Sequence, residues 1–414
     1  MIKVNKPKIR FKNFNDSWSL RKLSDTQTDF KDGNYGEAYP KETDLTSSTQ
    51  GVPFLRGSDL DNGKLTLTNA RYITQSKHNE LISGHLIEDD IVIAVRGSLG
   101  SLGYVGPDNE GWNINSQLAI IRTRKIELIG NYLIQFLLSN RGNKEISSHI
   151  TGTALKQLPI KQLKNIKVPI PKIEEQSAIG SLFRTLDDLL ASYKSNLASY
   201  QSLKATMLSK MFPKVGQKVP EIRLDGFEGE WEIKKFKSIS NKRGKSNSKG
   251  YDYPAHSVSN QSGLIPQSEQ FEGSRLENLE KTSYKIVEPN EFAYNPARIN
   301  VGSIAFNDLH ETVIVSSLYV IFSLDKSMDN NYALLFIESA EFNKEVRRNT
   351  EGSVREYLFY ENFANIRIPI PPSLEEQRAI GSYFSNLDNL INSHQEKISQ
   401  LETLKKKLLQ DMFI

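Results

Sequence analysis

Residues 166–190 read IKVPIPKIEEQSAIGSLFRTLDDLL and residues 366–391 read IRIPIPPSLEEQRAIGSYFSNLDNLI, so this chain of 414 residues contains one stretch twice. The copies lie 200 positions apart at their start, and 201 apart from Gln176 and Gln377 onward, because the second copy has one extra residue. A match of this length is an internal repeat, and the rest of the chain is organised around it.

Each copy predicts a strand that leads directly into a long helix. The Pro-x-Pro ends the strand, since proline has no amide for a ladder and disfavours helix just before itself. The Glu-Glu-Gln that follows puts negative charge at the positive end of the helix dipole. Apolar residues then recur every seven positions, which predicts two coiled-coil helices of roughly forty residues, about 60 Å each. The predicted helix-pair and partner interface comprises Ile179, Leu182, Leu186, Leu189, Tyr193, Tyr200, Leu203, Met207, Ile380, Tyr383, Leu387, Leu390, His394, Leu401, Leu404 and Leu408.

A second repeat divides the chain into two tandem modules. Residues 7–22 return as residues 220–235, each with Pro-x-Ile-Arg and a later tryptophan. Only a short segment separates Phe212 from Pro220, so the second domain must start where the first helix ends. The second helix can then pack on the first only by running back along it. The predicted fold is α+β: two tandem globular domains with mixed β-sheet, joined by two long antiparallel coiled-coil helices, in a pseudo-two-fold internal repeat.

The globular domains share a frame but differ in their faces. Strands are predicted at VPFLRGSD (52–59), IVIAV (91–95), LAIIR (118–122) and LYVIF (318–322), and helices at NYLIQFLL (131–138) and NYALLFIES (331–339). Leu118 and Leu318, like Tyr132 and Tyr332, lie 200 apart. The segments between the repeated N-terminal stretches (7–22 and 220–235) and these elements are not similar to each other. This is expected of two domains that share a scaffold but recognise different targets. The predicted segments are 1–170 (first domain), 171–213 (first helix), 214–370 (second domain) and 371–414 (second helix).

Composition excludes several classes of protein. Charged residues make up 25% and hydrophobic residues 38% of the chain, as in ordinary soluble proteins. There is no cysteine, which excludes disulfides and thiolate zinc sites and suggests the cytoplasm. The sequence has no apolar signal core and no membrane span. A net charge of +4 is compatible with nucleic acid, provided that the binding surface is local.

No catalytic motif stands out. The six histidines include no His-x-x-x-His pair, and no phosphate-binding Gly-x-x-x-x-Gly-Lys-Ser/Thr occurs. Asn295-Pro296-Ala297-Arg298 lacks the second proline and the aromatic of the Asn-Pro-Pro-aromatic signature of adenine methyltransferases, so we interpret it as a loop. The prediction is a chain without catalytic residues, without a metal and without a bound cofactor.

Nucleic-acid binding has better support. The stretch NKRGKSNSK (241–249) is a basic loop of small residues, suited to phosphates, although a solvated loop is an equal alternative. Arginine beside glycine or an amide follows the predicted strands in both domains and suits base edges, with an ordinary surface turn as the alternative. The candidate DNA-binding residues are Arg56, Arg96, Ser98, Asn113, Thr153, Lys156, Lys242, Arg243, Lys245, Asn260, Arg298, Asn300, Ser353 and Arg355.

With these motifs in view, the chain resembles the specificity subunits of type I restriction-modification systems over its whole length. The doubled Pro-x-Pro, Glu-Glu-Gln, Ala-Ile-Gly and Leu-Asp sequence carries the resemblance, and VPFLRGSDLDNGKL and IVIAVRGSLGSLG look like pieces of such recognition domains. The resemblance implies two target recognition domains, each reading one half of a split, asymmetric site in double-stranded DNA. It implies helices that set the gap and bind two modification subunits, which methylate adenine at N6.

The resemblance also implies a division of labour. S-adenosylmethionine, ATP and magnesium are expected on partner subunits, including the restriction and translocase subunits of the full complex. Two alternatives remain open: a two-headed adaptor whose domains bind protein or glycan, and a self-contained methyltransferase or nuclease. The first predicts no DNA footprint and no partner methyltransferase. The second requires an intact catalytic motif, which the sequence does not contain.

Overall fold

The chain forms two compact units that share two long helices. The computed structural model describes residues 7–153, 155–259, 263–270, 281–349 and 357–413. Unit 1 comprises Met1–Lys194 with Glu396–Ile414, and unit 2 comprises Ser195–Gln395. The helices Ile173–Lys210 and Leu374–Asp411 therefore each begin in one unit and end in the other. For this reason the compact units do not coincide with the four consecutive segments that we predicted.

Unit 1 consists of short strands followed by helices. Its strands are β1 (Ser19–Lys22), β2 (Asp29–Asp32), β3 (Leu45–Thr46), β4 (Val52–Leu55), β5 (Leu60–Asp61), β6 (Lys64–Leu65), β7 (Arg71–Ile73), β8 (Ile91–Ala94), β9 (Leu102–Tyr104), β10 (Asn113–Ile114), β11 (Leu118–Arg122) and β12 (Lys167–Ile170). Its helices are α1 (Gln75–Glu80), α2 (Gly130–Leu138), α3 (Asn140–Ser148), α4 (Ile160–Leu163) and the start of α5 (Ile173–Lys210).

A central antiparallel sheet in the order β2-β11-β8-β9 forms the middle of unit 1. Ile91 and Ile93 of β8 pack on the cluster that contains α2, whereas Val92 and Ala94 face the opposite cluster. Because both faces are covered, the strand is apolar at every position instead of alternating. A second sheet, β10-β4-β7-β3, pairs β10 with β4 in parallel and its other strands antiparallel, so the predicted mixed β-sheet is confirmed.

Unit 2 repeats this plan. Its strands are β13 (Glu232–Lys235), β14 (Ser240–Arg243), β15 (His256–Ser259), β16 (Gly263–Pro266), β17 (Lys285–Val287), β18 (Glu291–Tyr294), β19 (Ile304–Phe306), β20 (Val313–Val315), β21 (Val320–Leu324) and β22 (Arg367–Ile370). Its helices are α6 (Gln267–Gln270), α7 (Asn330–Glu338), α8 (Ala340–Asn349), α9 (Tyr360–Phe363) and α10 (Leu374–Asp411), whose end lies in unit 1. The sheet β14-β21-β18-β19 is the counterpart of β2-β11-β8-β9.

Strand register corrects one predicted equivalence. Ile93 pairs with Ala119 in unit 1, and Tyr294 pairs with Val320 in unit 2, with all four side chains on the face that packs on the helices, so both strands are offset by 201 residues and not by 200. The predicted match of Leu118 with Leu318 is therefore wrong. Leu118 is buried in β11, whereas Leu318 is 74% exposed in the turn before β21. The counterpart of Leu118 is Tyr319, one position further along, and both side chains lie on the sheet face away from the helices.

The doubled Glu-Glu-Gln joins each helix to its own domain. The second glutamate, Glu175, accepts two hydrogen bonds from Arg10, at 2.7 and 2.8 Å, and one from the Trp18 indole at 3.1 Å. The Gln176 amide accepts a bond from the Ile129 N–H and donates to the Glu127 carbonyl oxygen. The second copy repeats the arginine and glutamine contacts but not the indole bond, since the buried Trp231 indole nitrogen has no hydrogen-bond partner among the described residues.

In that copy Glu376 pairs with Arg223, again at 2.7 and 2.8 Å, and the Gln377 amide accepts from the Asp329 N–H. Both glutamates are almost fully buried, so these ion pairs are desolvated and strong. The helix-dipole interpretation therefore applies to the exposed first glutamate of each motif, while the second glutamate and the glutamine fasten the arm, the domain and the helix together.

The glycine of each Ala-Ile-Gly permits a close approach between helix and domain. A Cβ on Gly180 would lie 3.1 Å from the Asn131 amide nitrogen, and a Cβ on Gly381 would lie 3.0 Å from the Asn331 Cβ. Asn131 belongs to α2 and Asn331 to α7. A side chain at either glycine would therefore require its neighbour to shift by a few tenths of an ångström.

The two long helices run antiparallel, as predicted. In unit 1, Asp187 bonds to Lys405 and Lys194 bonds to Glu402, both at 2.6 Å, so positions rise along α5 while they fall along α10. In unit 2, Lys204 bonds to Asp388 at 2.7 Å, and the Tyr200 and His394 rings lie 5.2 Å apart. Each pair belongs to a single unit, so each unit by itself has the antiparallel order.

The buried stripe of each helix differs from the predicted seam. Ile179, Phe183, Leu186 and Leu190 are buried in α5, and Ile380, Phe384, Leu387 and Ile391 in α10. Each helix therefore buries a and e positions. Of the predicted d positions, Leu182 and Tyr383 are partly buried, but four leucines are 41–44% exposed: Leu189, Leu203, Leu390 and Leu404. The stripe is displaced because the first half of each helix packs on its own domain as well as on the other helix.

Candidate nucleic-acid interface

Unit 1 brings four of the predicted residues to one edge of its central sheet. One loop follows β8, and a second loop includes residues 151–153 and 155–157. The Leu158 N–H donates to the Val95 carbonyl oxygen at 3.1 Å, which holds the second loop beside the first. The four side chains are exposed: Arg96, Ser98, Thr153 and Lys156.

Arg96 lies against an aromatic ring at this edge. Its guanidinium carbon is 5.4 Å from the centre of the Tyr35 ring, and Tyr35 donates a hydrogen bond to the Ser116 carbonyl oxygen at 3.1 Å. Burial raises the pKa of the nearby Asp32 carboxyl, and the Arg96 charge opposes that rise. A ring-supported arginine suits two-point bonding to a guanine edge. Tyr35 was not among the residues predicted from sequence, because a lone tyrosine in a variable segment carries no signal.

Two predicted DNA contacts of unit 1 are corrected by their surroundings. Asn113 is fully buried, with its amide nitrogen 2.5 Å from Nδ1 of His78, so it cannot reach a duplex without unfolding its strand. The Arg56 side chain is 31% exposed but is bonded within its own domain: it donates to the Asn69 carbonyl oxygen and lies 3.6 Å from the buried Asp59 carboxylate. Arg56 therefore stabilises the turn after β4, and its neighbour Gly57 packs near Ser98.

Unit 2 presents a comparable edge. Arg298 is exposed in the loop after β18, the strand that corresponds to β8. The Ala297 N–H donates to the Asn295 side-chain oxygen at 3.0 Å, so the Asn-Pro segment is an Asx turn, in agreement with its interpretation as a loop. Three predicted residues, Asn260, Ser353 and Arg355, and the side chain of Asn300 lie outside the described residues.

Basic residues line a cleft beside this edge. Lys242, Arg243 and Lys245 surround a cavity of about 480 Å³ together with Glu288 and Glu291. Lys242 bonds to Glu361 at 2.7 Å, and Arg243 lies 3.6 Å from Glu291. Burial raises the pKa of the Glu291 carboxyl, and it lowers the pKa of the Lys285 ammonium group. A mixed cleft with exposed lysines is suited to phosphate contacts that position a duplex.

Within the described ranges, no group of three or more histidine, aspartate or glutamate side chains is arranged to hold a metal ion. In the same ranges, no helix combines the length and apolar character needed to cross a membrane.

The chain matches the family model for the type I restriction modification DNA specificity domain twice, over residues 17–198 and 228–403. The putative type I restriction enzyme MjaX specificity subunit of Methanocaldococcus jannaschii is 23% identical over 415 residues, covering 95% of this chain and 92% of that protein. The MjaVIII specificity subunit of the same organism is 23% identical over 283 residues, covering 64% and 65%. A crystal structure of the type I restriction-modification S subunit from M. genitalium shares the fold, with a TM-score of 0.63 and 15% identity over 99% of each chain.

Proposed function

This chain belongs to the type I restriction modification DNA specificity family, and from that premise we propose that each of its two domains reads one half of a split, asymmetric DNA site. The observation that carries the proposal is that the two domains share their central sheet and helix junction but expose different side chains at the corresponding sheet edge. Both units repeat the same sheet and the same helix junction. At the exposed edge, however, unit 1 has a tyrosine-supported arginine, and unit 2 has a basic cleft.

The sheet-edge loops are the proposed reading surface. Arg96 and Arg298 follow equivalent strands in the two frames and are exposed. Arginine can bond both acceptors of guanine in the major groove, which specifies a base, while Lys242 and Lys245 are suited to phosphates, which fix register. Within this scheme the chain supplies recognition, and S-adenosylmethionine, ATP and magnesium belong to partner subunits.

We further propose that the four exposed leucines dock the modification subunits. Leu189 and Leu404 lie in unit 1, and Leu203 and Leu390 lie in unit 2, so each unit offers one leucine from each helix. The Asp187–Lys405 and Lys204–Asp388 ion pairs place the two leucines of each unit on neighbouring turns. Two equivalent apolar pairs on charged helices fit two copies of one partner.

Aspartate at both Leu189 and Leu404 is expected to weaken binding of the modification subunit by at least about 30-fold, the effect of losing an interface hot spot. Stability should change little, because both side chains are already 40% exposed or more (42% and 44%). The measurement is titration of the purified chain with the modification subunit, together with a melting curve.

The control is Ala198→Asp, which adds one aspartate on the opposite side of α5 from Leu189, since nine residues at about 100° each amount to about two and a half turns. It should bind normally. Equal binding by the leucine variant would show that modification subunits dock elsewhere, and equal loss in the control would show a non-specific effect of charge.

The experiment that tests the reading proposal is the sequencing of methylated DNA from cells that contain this chain and a modification subunit. N6-methyladenine in one split, asymmetric motif is expected only when both proteins are present.

A further inference from the structure

Two aromatic rings stand side by side at the exposed edge of unit 2. The Tyr357 and Phe359 ring centres are 5.8 Å apart, and the ring planes are only 10° from parallel. Tyr357 is 44% exposed and Phe359 is 54% exposed. Large apolar side chains that share one exposed direction are uncommon on a surface that binds nothing.

The backbone holds these rings outward. Leu358, which lies between them, is buried, and its N–H donates to the Pro296 carbonyl oxygen at 2.9 Å. The Leu358 carbonyl oxygen accepts a hydrogen bond of 3.0 Å from the buried Tyr294 hydroxyl. Alternate residues of an extended chain point in opposite directions, so anchoring Leu358 inward fixes both rings outward. The rings are thus presented by a rigid segment and do not need to be ordered when they bind.

The frame of the domain does not require the rings. In unit 1 the same junction occurs, with the Leu158 N–H bonded to the Val95 carbonyl oxygen, but Gln157 and Pro159 occupy the positions that flank the leucine. The buried leucine is therefore part of the common frame. The aromatic pair, in contrast, occurs at this junction in unit 2 and not in unit 1, as expected of residues that determine specificity.

Basic side chains lie near the rings, one of them, Lys242, paired with Glu361. Lys242 packs over the Tyr360 ring at 5.8 Å, next in the chain to Phe359. The Leu358–Pro296 bond brings Tyr357 beside the loop that carries the exposed Arg298. Aromatic rings near basic side chains suit a polyanion with flat, apolar faces, which is the chemistry of nucleic-acid bases on a phosphate backbone.

We propose that Tyr357 and Phe359 lie against base faces at an opened base step in the half-site that unit 2 reads. This inference rests on the proposed reading function and adds two specificity-determining residues to it. Phe and other apolar side chains are used as wedges of this kind in duplex DNA, where they partly unstack a base step. A protein partner is the less favoured occupant, because two rings form a small patch compared with a stable protein interface of about 800 Å² on each partner.

The test uses the complete complex with its modification subunit and a duplex that carries the methylated motif found by sequencing. Tyr357→Ala with Phe359→Ala is expected to raise the dissociation constant for that duplex about tenfold or more, since stacking on bases is lost. The slope of affinity against salt should not change, because no phosphate contact is removed. Lys242→Ala, in contrast, should reduce that slope by about one.

Two controls isolate the effect. Ile233→Ala removes another exposed apolar side chain of unit 2, on β13, and should bind DNA normally. Tyr357→Phe keeps the ring and should retain most of the affinity for DNA. In addition, 2-aminopurine placed at successive positions of the half-site should brighten at one step with the natural complex, and remain quenched there with the double alanine variant.

The inference is overturned if the double variant binds DNA like the natural complex, if no 2-aminopurine position brightens, or if the variant fails to assemble with the modification subunit while it folds normally. The last result would assign the rings to a protein partner. Failure of the reading function is distinguishable, because the natural complex would then methylate no split motif.

Discussion

Aspartate at Leu186 is expected to lower the stability of unit 1 by about 4 kcal/mol or more. Truncating a buried leucine costs about 2–5 kcal/mol, and a buried carboxylate adds a desolvation penalty. Leu186 is 5% exposed and lies in the cluster that contains Ile179 and Phe183. Leu387, its counterpart in unit 2, is 6% exposed and should respond to aspartate in the same way.

The decisive control lies three residues along the same helix. Leu189→Asp adds the same charge at an exposed position and should change stability by no more than about 0.5 kcal/mol. Chemical denaturation monitored by circular dichroism measures both variants. Equal losses at Leu186 and Leu189 would mean that the buried stripe of α5 has been assigned to the wrong face.

Shortening both long helices by one heptad is expected to change the gap in the DNA site and leave the two half-sites unaltered. Deleting residues 196–202 and 392–398 removes about 10.5 Å from each helix at 1.5 Å per residue. At about 3.4 Å per base pair, the gap should shrink by about three base pairs. Seven residues make nearly two whole turns, so the remaining faces keep their phase within about 20°.

The deletions are matched. They remove the facing residues Tyr200 and His394 together, and they spare the buried stripes that pack on the domains. Deleting one segment alone should disrupt the helix pair. One helix would then be seven residues shorter than the other, so that ion pairs such as Lys204–Asp388 and those of the other unit could not all form at once. The readout is the methylation motif of each variant. A changed half-site sequence, or an unchanged gap in a folded double deletion, would refute the role of the helices as a spacer.

The repeat made the frame of the molecule predictable. The doubled Pro-x-Pro and Glu-Glu-Gln marked both helix starts, and both helices are 38 residues long, close to the roughly forty expected from heptad spacing. The strands at 91–94 and 118–122 were also predicted, because their apolar runs are continuous. Helix-start motifs, heptad spacing and continuous apolar runs consist of residues that the helices and strands themselves require, so they can be recognised in the sequence.

The failures have a different origin. Heptad spacing identified the two helices correctly, but it predicted burial at the a and d positions, whereas the structure buries a and e positions. The difference arises because a domain as well as a helix packs on Phe183 and Phe384. The burial of Asn113, the bonding of Arg56 within its own domain and the role of Glu175 all depend on long-range partners that spacing does not encode. The proposed reading surface is the least predictable part, since the rings of Tyr357 and Phe359 are placed by a buried leucine and a distant loop.

The most direct test of the central claim is single-molecule sequencing of DNA from a methylation-free host that expresses this chain together with a type I modification subunit, with each protein alone as a control. We expect N6-methyladenine in one split, asymmetric motif, and only when both proteins are present. A continuous or perfectly palindromic motif, or no methylation by a verified complex of the two, would contradict the account.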